Sequence, residues 1–206
     1  MESFLLDYIN LIGGKKKGKV SREYSTYDNK QFTKMSESYD YYISKVVPQI
    51  SNRKTEWIYN LIDNKGSEGS EGIIYQDEYF ILIQDKKWKS NNIYDLHIVA
   101  FFKDRTLRCI RDLNGNHIDL LEHVKNKSCE VLKKNYNLTE NQLNILFHYR
   151  PSVWLLHIHF INSMFKTYDV AVDKAHYVFN VIENLKLDSE YFKKIKLQVY
   201  KNKFID

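Results

Sequence analysis

The sequence predicts an α+β fold, a sheet of mainly antiparallel strands with helices on one side, and three observations predict it. Short runs dominated by β-branched, aromatic and other apolar residues recur through the later part of the chain, bounded by turn residues. Two of these runs, residues 73–76 and 79–84, are joined only by Asp77-Glu78, which makes them a hairpin. Stretches with helical periodicity, at 117–136 and 172–187, provide the covering layer.

Taken in order, residues 4–12 form a short helix or strand. Gly13-Gly14-Lys15-Lys16-Lys17-Gly18-Lys19 is a flexible joint or exposed turn; it could touch phosphate, yet it lacks the spacing and the terminal Ser/Thr of a P-loop. Residues 36–48 carry a helix-like signal. Ser51, followed by Thr55-Glu56-Trp57-Ile58-Tyr59-Asn60-Leu61-Ile62, opens a clearer helix that ends in the glycine-rich stretch 63–72. After the hairpin come a strand at 96–102 and a short strand or turn at 108–113. In 117–136, Ile118, Leu121, Val124, Val131 and Leu132 place one apolar face against the sheet. Residues 142–149 and 153–160 are strands separated by Arg150-Pro151-Ser152; 172–187 is an amphipathic helix and 195–200 a last strand.

At 206 residues there is room for one core of full size or one core with a small appendage, and the expectation is one main domain. The formal charge of +5 and the 43 % apolar fraction are an ordinary soluble balance whose basic surplus suits a phosphorylated partner. Cys109 and Cys129 form neither a disulfide framework nor a metal-binding spacing, so a reducing compartment is the default. No apolar run approaches the length of a membrane span, and the segment 1–12 lacks a cleavable small-residue ending. The expected setting is the cytoplasm, with the nucleus as an alternative, and no membrane is expected among the partners.

The run Pro151-Ser152-Val153-Trp154-Leu155-Leu156-His157-Ile158-His159-Phe160 carries the chemistry. Alternation puts Val153, Leu155, His157 and His159 on one face and Trp154, Leu156, Ile158 and Phe160 on the other, so one face is core and the other bears imidazoles. A strand is a rigid mount for a nucleophile, because its backbone does not drift out of line with the bond attacked. A metal site is not expected, since no third ligand at a usual spacing joins His157 and His159. His97, His117 and His123 have only structural readings.

Trp57-Ile58-Tyr59-Asn60, Gln84-Asp85-Lys86-Lys87-Trp88, Leu107-Arg108-Cys109-Ile110-Arg111-Asp112-Leu113, His148-Tyr149-Arg150-Pro151-Ser152, Leu156-His157-Ile158-His159-Phe160 and Ala175-His176 occur in this order. The succession resembles the carboxy-terminal catalytic domain of the scavenger mRNA decapping enzymes, in the histidine triad superfamily. The likeness runs from about Tyr39 to the end, which divides the chain into residues 1–38, a short amino-terminal arm or vestigial lid, and 39–206, a histidine-triad-like catalytic domain. It implies a curved antiparallel sheet with flanking helices, usually in a homodimer. It also implies cofactor-free hydrolysis of 7-methylguanosine-capped mono- or short oligonucleotides, giving 7-methylguanosine monophosphate and a nucleoside diphosphate through a nucleotidyl-histidine intermediate.

Under this resemblance His157 is the nucleophile. His159 holds the triphosphate or orients His157, and His148 and Ser152 contact the bridging phosphates, with His148 stabilising or protonating the leaving group. Lys174 stands where the family carries an arginine, keeping the charge without the bidentate fork. Trp57 stacks on the cationic methylated base. Glu68, or Glu71 in the same turn, accepts from the guanine edge, and Asp85 and Lys87 form a cap-binding pair. Two positions depart from the pattern. Leu155 stands in place of the first triad histidine, and Lys86 replaces the leucine that closes the other face of the base. These departures leave two alternatives: a hydrolase of dinucleoside polyphosphates or nucleoside phosphoramidates, and a catalytically weak cap-binding decoy.

Overall fold

A computed structural model describes residues 34–51, 54–63, 72–86, 88, 90 and 92–200. The expected elements at 4–12 and 13–19 lie outside the described residues. The strands are β1 (Lys34–Glu37), β2 (Ile73–Gln76), β3 (Phe80–Gln84), β4 (His97–Phe102), β5 (Leu143–His148), β6 (His157–Asn162), β7 (Ala175–Tyr177) and β8 (Leu197–Tyr200). The α-helices are α1 (Tyr39–Tyr41), α2 (Glu56–Ile62), α3 (Ile118–Tyr136), α4 (Val178–Leu187) and α5 (Tyr191–Lys194). Six strands form one antiparallel sheet in the order β2-β3-β4-β6-β5-β7, and β1 pairs with β8 in a separate ribbon.

The hairpin forms as its sequence predicts: the Asp77 carboxylate accepts from the backbone N–H of Tyr79 and Phe80 and fixes the turn. Gly72, at φ +96°, leads the chain into β2 from a conformation that side chains avoid. In α3 the predicted stripe is real, with Leu121, Val124 and Leu132 buried; the helix closes on Asn137 in the left-handed region, its N–H returned to the Lys133 carbonyl.

The sheet's two faces have different tasks. Phe80, Leu82, Ile98, Ala100, Phe102, Ile158 and Phe160 meet the apolar faces of α3 and α4 in the main core. Ile81, Ile83, Val99, Phe101 and Leu155 form a second cluster with Ile58 of α2. Helices therefore cover both faces, and the expectation of helices on one side is corrected by α2, whose single buried side chain, Ile58, anchors it opposite α3 and α4.

Three further readings change, and a fourth, residues 108–113, resolves to its turn alternative. Residues 36–48 begin as strand β1 and then pass from α1 through a wider turn, Tyr42–Val46, into a tight one, Val47–Gln49. The first residues of the expected helix 172–187 instead add β7 to the sheet edge beside β5, and the helix starts at Val178. Residues 108–113 hold a tight helical turn at Ile110–Asp112. The expected strand 153–160 starts only at His157, because the Leu156 backbone bonds Leu107 and Phe102 outside the sheet ladder. β1 also lies ahead of the Tyr39 boundary that the sequence places between arm and body.

Candidate active site

Register builds the site. In the β4–β6 pair, Val99 lies opposite His159 and Phe101 opposite His157, while Leu146 of β5 faces His159 from the other side. Side chains alternate along each strand, so His157 and His159 share the α2 face of the sheet with Val99 and Phe101. This is the two-faced arrangement that alternation predicts. Both rings are only 6 % exposed, yet both line a cavity of about 600 Å³ between the sheet and α2.

His157 Nδ1 lies 2.6 Å from the Leu155 carbonyl oxygen. A carbonyl only accepts, so Nδ1 carries a proton, and the neutral imidazole is the tautomer with Nε2 unprotonated. The main chain thus orients this ring, and the role considered for His159 falls to a backbone atom. It comes from the position where the expected first histidine is missing. Leu155 itself packs, fully buried, in the second cluster. The Phe101 ring lies against His157 with centroids 4.8 Å apart and limits how the imidazole tilts.

His159 Nδ1 lies 2.9 Å from Nε2 of His97, a fully buried histidine at the start of β4. His97 is 3.7 Å from Asp85 Oδ2 through Nε2 and 3.9 Å from Asp169 Oδ2 through Nδ1. Donor atoms of Asp85, His97 and His159 all lie within 4.8 Å of one another, a cluster that the sequence spacing does not reveal.

His148 stacks on His159 with centroids 4.1 Å apart and donates from Nε2 to the Asp169 carbonyl at 2.7 Å. Burial first, then the nearby Lys174 and His157, pushes its pKa down to about 4, only partly offset by the Asp169 carbonyl and carboxylate. The imidazole is neutral at physiological pH with its one N–H engaged. That removes the proton-donor half of its expected role and leaves Nδ1 as an acceptor. Lys174 Nζ bonds Asp169 Oδ1 at 2.9 Å, so one aspartate fixes both groups.

At the far wall Trp57, 39 % exposed, stands edge-on to Phe101 with centroids 5.7 Å apart. The Lys86 ammonium lies over the indole, 5.1 Å from its centroid. Ser152, Asp85 and Lys174 also line the cavity. The fold therefore gathers seven of the nine expected site residues: His157, His159, His148, Trp57, Asp85, Ser152 and Lys174. Glu68 and Lys87, together with the alternative Glu71, lie outside the described residues. Sequence reasoning missed Asp169 and Arg150, both cavity-lining, and the contact of His97 with His159. Arg150 lies two residues after His148 in a quoted motif; Asp169 sits in the tight helical turn Tyr168–Val170, which has no patterned neighbour. His97 heads a strand whose alternation with Val99 and Phe101 puts it on the imidazole face, a signal that needed the β4–β6 pairing to be read.

An antiparallel sheet with paired histidines on its middle strand and a nucleotide-sized cavity above them defines the histidine-triad class. Within that class the chain belongs to the scavenger mRNA decapping enzyme family: the family described as "Scavenger mRNA decapping enzyme C-term binding" matches residues 56–172. Among curated relatives, the m7GpppX diphosphatase of Ascaris suum is 32 % identical over 176 residues, covering 82 % of this chain and 58 % of that protein. The m7GpppX diphosphatase of Rattus norvegicus is 31 % identical over 164 residues, covering 77 % of this chain and 48 % of the relative. The chain thus spans about half the length of such relatives. Among solved structures, a crystal structure of an aprataxin ortholog in complex with DNA aligns with TM-score 0.43 and 17 % identity over 68 % of this chain and 81 % of that one.

Proposed function

We propose that this protein cleaves the triphosphate bridge of 7-methylguanosine-capped mononucleotides or short capped oligonucleotides, releasing 7-methylguanosine monophosphate and a nucleoside diphosphate. The observation that carries the reading is the His157 tautomer: Nδ1–H is committed to the Leu155 carbonyl, so the basic nitrogen is Nε2, on a ring that lines the same cavity as Trp57. Nε2 attacks the phosphorus beside the 7-methylguanosine in line, the bond to the bridging oxygen breaks, and the nucleoside diphosphate leaves with the electron pair. Water then attacks the phosphoramidate, releasing 7-methylguanosine monophosphate and restoring the neutral imidazole.

In this reading Lys174, held by Asp169, and Arg150, held by Glu37, offset charge on the transferring phosphoryl without having to reorganise. His148 accepts through Nδ1 and need not act as an acid, since the departing diphosphate is stable as an anion. Trp57 stacks on the cationic base, Ser152 donates to a phosphate oxygen, Asp85 and Lys87 hold the nucleoside, and Glu68 or Glu71 reads the guanine edge. The protein acts as a cytoplasmic homodimer whose catalytic body is residues 39–206; sedimentation of the full chain tests the dimer.

Incubation with a capped dinucleotide and analysis of products tests the reaction. Release of 7-methylguanosine monophosphate by the wild type, lost in His157→Ala, supports it; binding with no release from the wild type replaces it with the cap-binding decoy. A second substrate reading rests on Lys86, whose ammonium already covers the indole that a cationic base would need. In that reading the same chemistry runs on dinucleoside polyphosphates, and a higher kcat/KM for an uncharged-base dinucleoside polyphosphate than for the capped dinucleotide favours it.

A further inference from the structure

We propose that Asp85, His97 and His159 form a binding site for a divalent transition metal of the zinc type, with Asp169 as the outer partner of His97. The donors come from three neighbouring places in the sheet: Asp85 follows β3, His97 opens β4 and His159 lies in β6. A backbone hydrogen bond from Asp85 N–H to the His97 carbonyl, 3.0 Å long, ties the first two together. His97 Nε2 is 2.9 Å from His159 Nδ1 and 3.7 Å from Asp85 Oδ2. Tetrahedral zinc with bonds of about 2.0–2.1 Å sets its donors about 3.3 Å apart. These two separations bracket that value and the third pair, Asp85 and His159, lies within 4.8 Å, so side-chain adjustment would bring the three donors onto one ion.

The chemistry of the set points to the same class. Two imidazoles and one carboxylate suit a borderline-soft dication and leave coordination positions open. Ligating histidines usually direct their second nitrogen at a carboxylate or carbonyl. His97 does so here: with Nε2 on the metal its proton sits on Nδ1, which is 3.9 Å from Asp169 Oδ2. Access is provided, because Asp85 and His159 line the cavity while His97 is fully buried behind them. The ion would enter from the cavity. Cys109 and Cys129 take no part. The inference does not depend on the proposed reaction, since binding is read with no nucleotide present.

The test is titration of the metal-stripped full-length protein with Co2+, followed by its visible d–d absorption, then displacement by Zn2+ in a calorimeter. One equivalent should bind with micromolar or tighter affinity, with no sulfur-to-cobalt charge-transfer band, and should raise Tm. Asp85→Asn and His97→Phe should each weaken binding at least about 100-fold, and Asp169→Asn about 10–100-fold. His123→Ala, an exposed histidine outside the cluster, should bind as the wild type does. Because His97 is buried, circular dichroism checks that His97→Phe folds; the partly exposed Asp85→Asn decides the matter if it does not. Millimolar affinity, a thiolate charge-transfer band, or unchanged affinity in Asp85→Asn overturns the proposal.

Discussion

Lys86 illustrates how one side chain sets the character of the pocket. Its ammonium lies over the Trp57 indole, so the ring's negative face is engaged before any ligand arrives. In the proposed binding mode a methylated guanine displaces that cation. Lys86→Leu should therefore tighten binding of 7-methylguanosine monophosphate by about 3–10-fold, from a cation–π term of about 0.5–1 kcal/mol plus relieved repulsion; quenching of indole fluorescence reads the change, since Trp88 and Trp154 are buried. His148 makes a second residue-scale prediction. Its folded pKa of about 4 lies below the ordinary 6.5, so the unfolded chain takes up a proton that the folded one resists. The stability it contributes is complete above pH 6.5 and is lost as pH falls towards 4. Half-buried His176, also shifted down by desolvation, adds in the same direction. Thermal melts from pH 7.5 to 4 should show Tm falling, with a shallower fall in His148→Gln.

Among the elements, the β1–β8 ribbon connects to the site through charge. Glu37, at the end of β1, is fully buried between two arginines: Arg150 Nη2 at 2.8 Å, itself cavity-lining, and Arg111 Nη2 at 3.5 Å. Arg111 also donates to the carbonyls of Glu37, Phe192 and Ile195, which fastens α5 and the approach to β8. Glu37→Gln leaves two buried guanidinium groups without their counter-charge, and a loss of about 3–5 kcal/mol in urea unfolding is expected. The same ribbon explains what the sequence conceals. Residues 34–37 are too short and too polar for a strand signal, and only pairing with 197–200 makes them one. β7 is hidden for the opposite reason: Ala175-His176-Tyr177 runs straight into a strong helical stripe, and its hydrogen bonds to β5 win over the local periodicity. By contrast α3 and the β2–β3 hairpin are legible, because their stripe and turn residues specify them locally.

For the whole molecule, a formal charge of +5 and a cavity flanked by Lys86, Arg150 and Lys174 favour approach of polyanionic substrates. Raising ionic strength from about 0.05 to 0.5 M shortens the screening length to a few ångströms, so KM for a capped dinucleotide should rise several-fold while kcat changes little; initial-rate kinetics at fixed pH check it. At this scale the family and the imidazole strand were legible from ordered motifs. Asp169 and the His97 contact were not, since both depend on strands and loops that only tertiary pairing brings together. The Leu155 carbonyl carries the wider lesson. An amide oxygen is common to all twenty amino acids, so no codon change at that position can delete it, and selection there narrows to shape. A search template that insists on three imidazoles will pass over chains whose central imidazole is still tautomerised by peptide backbone alone.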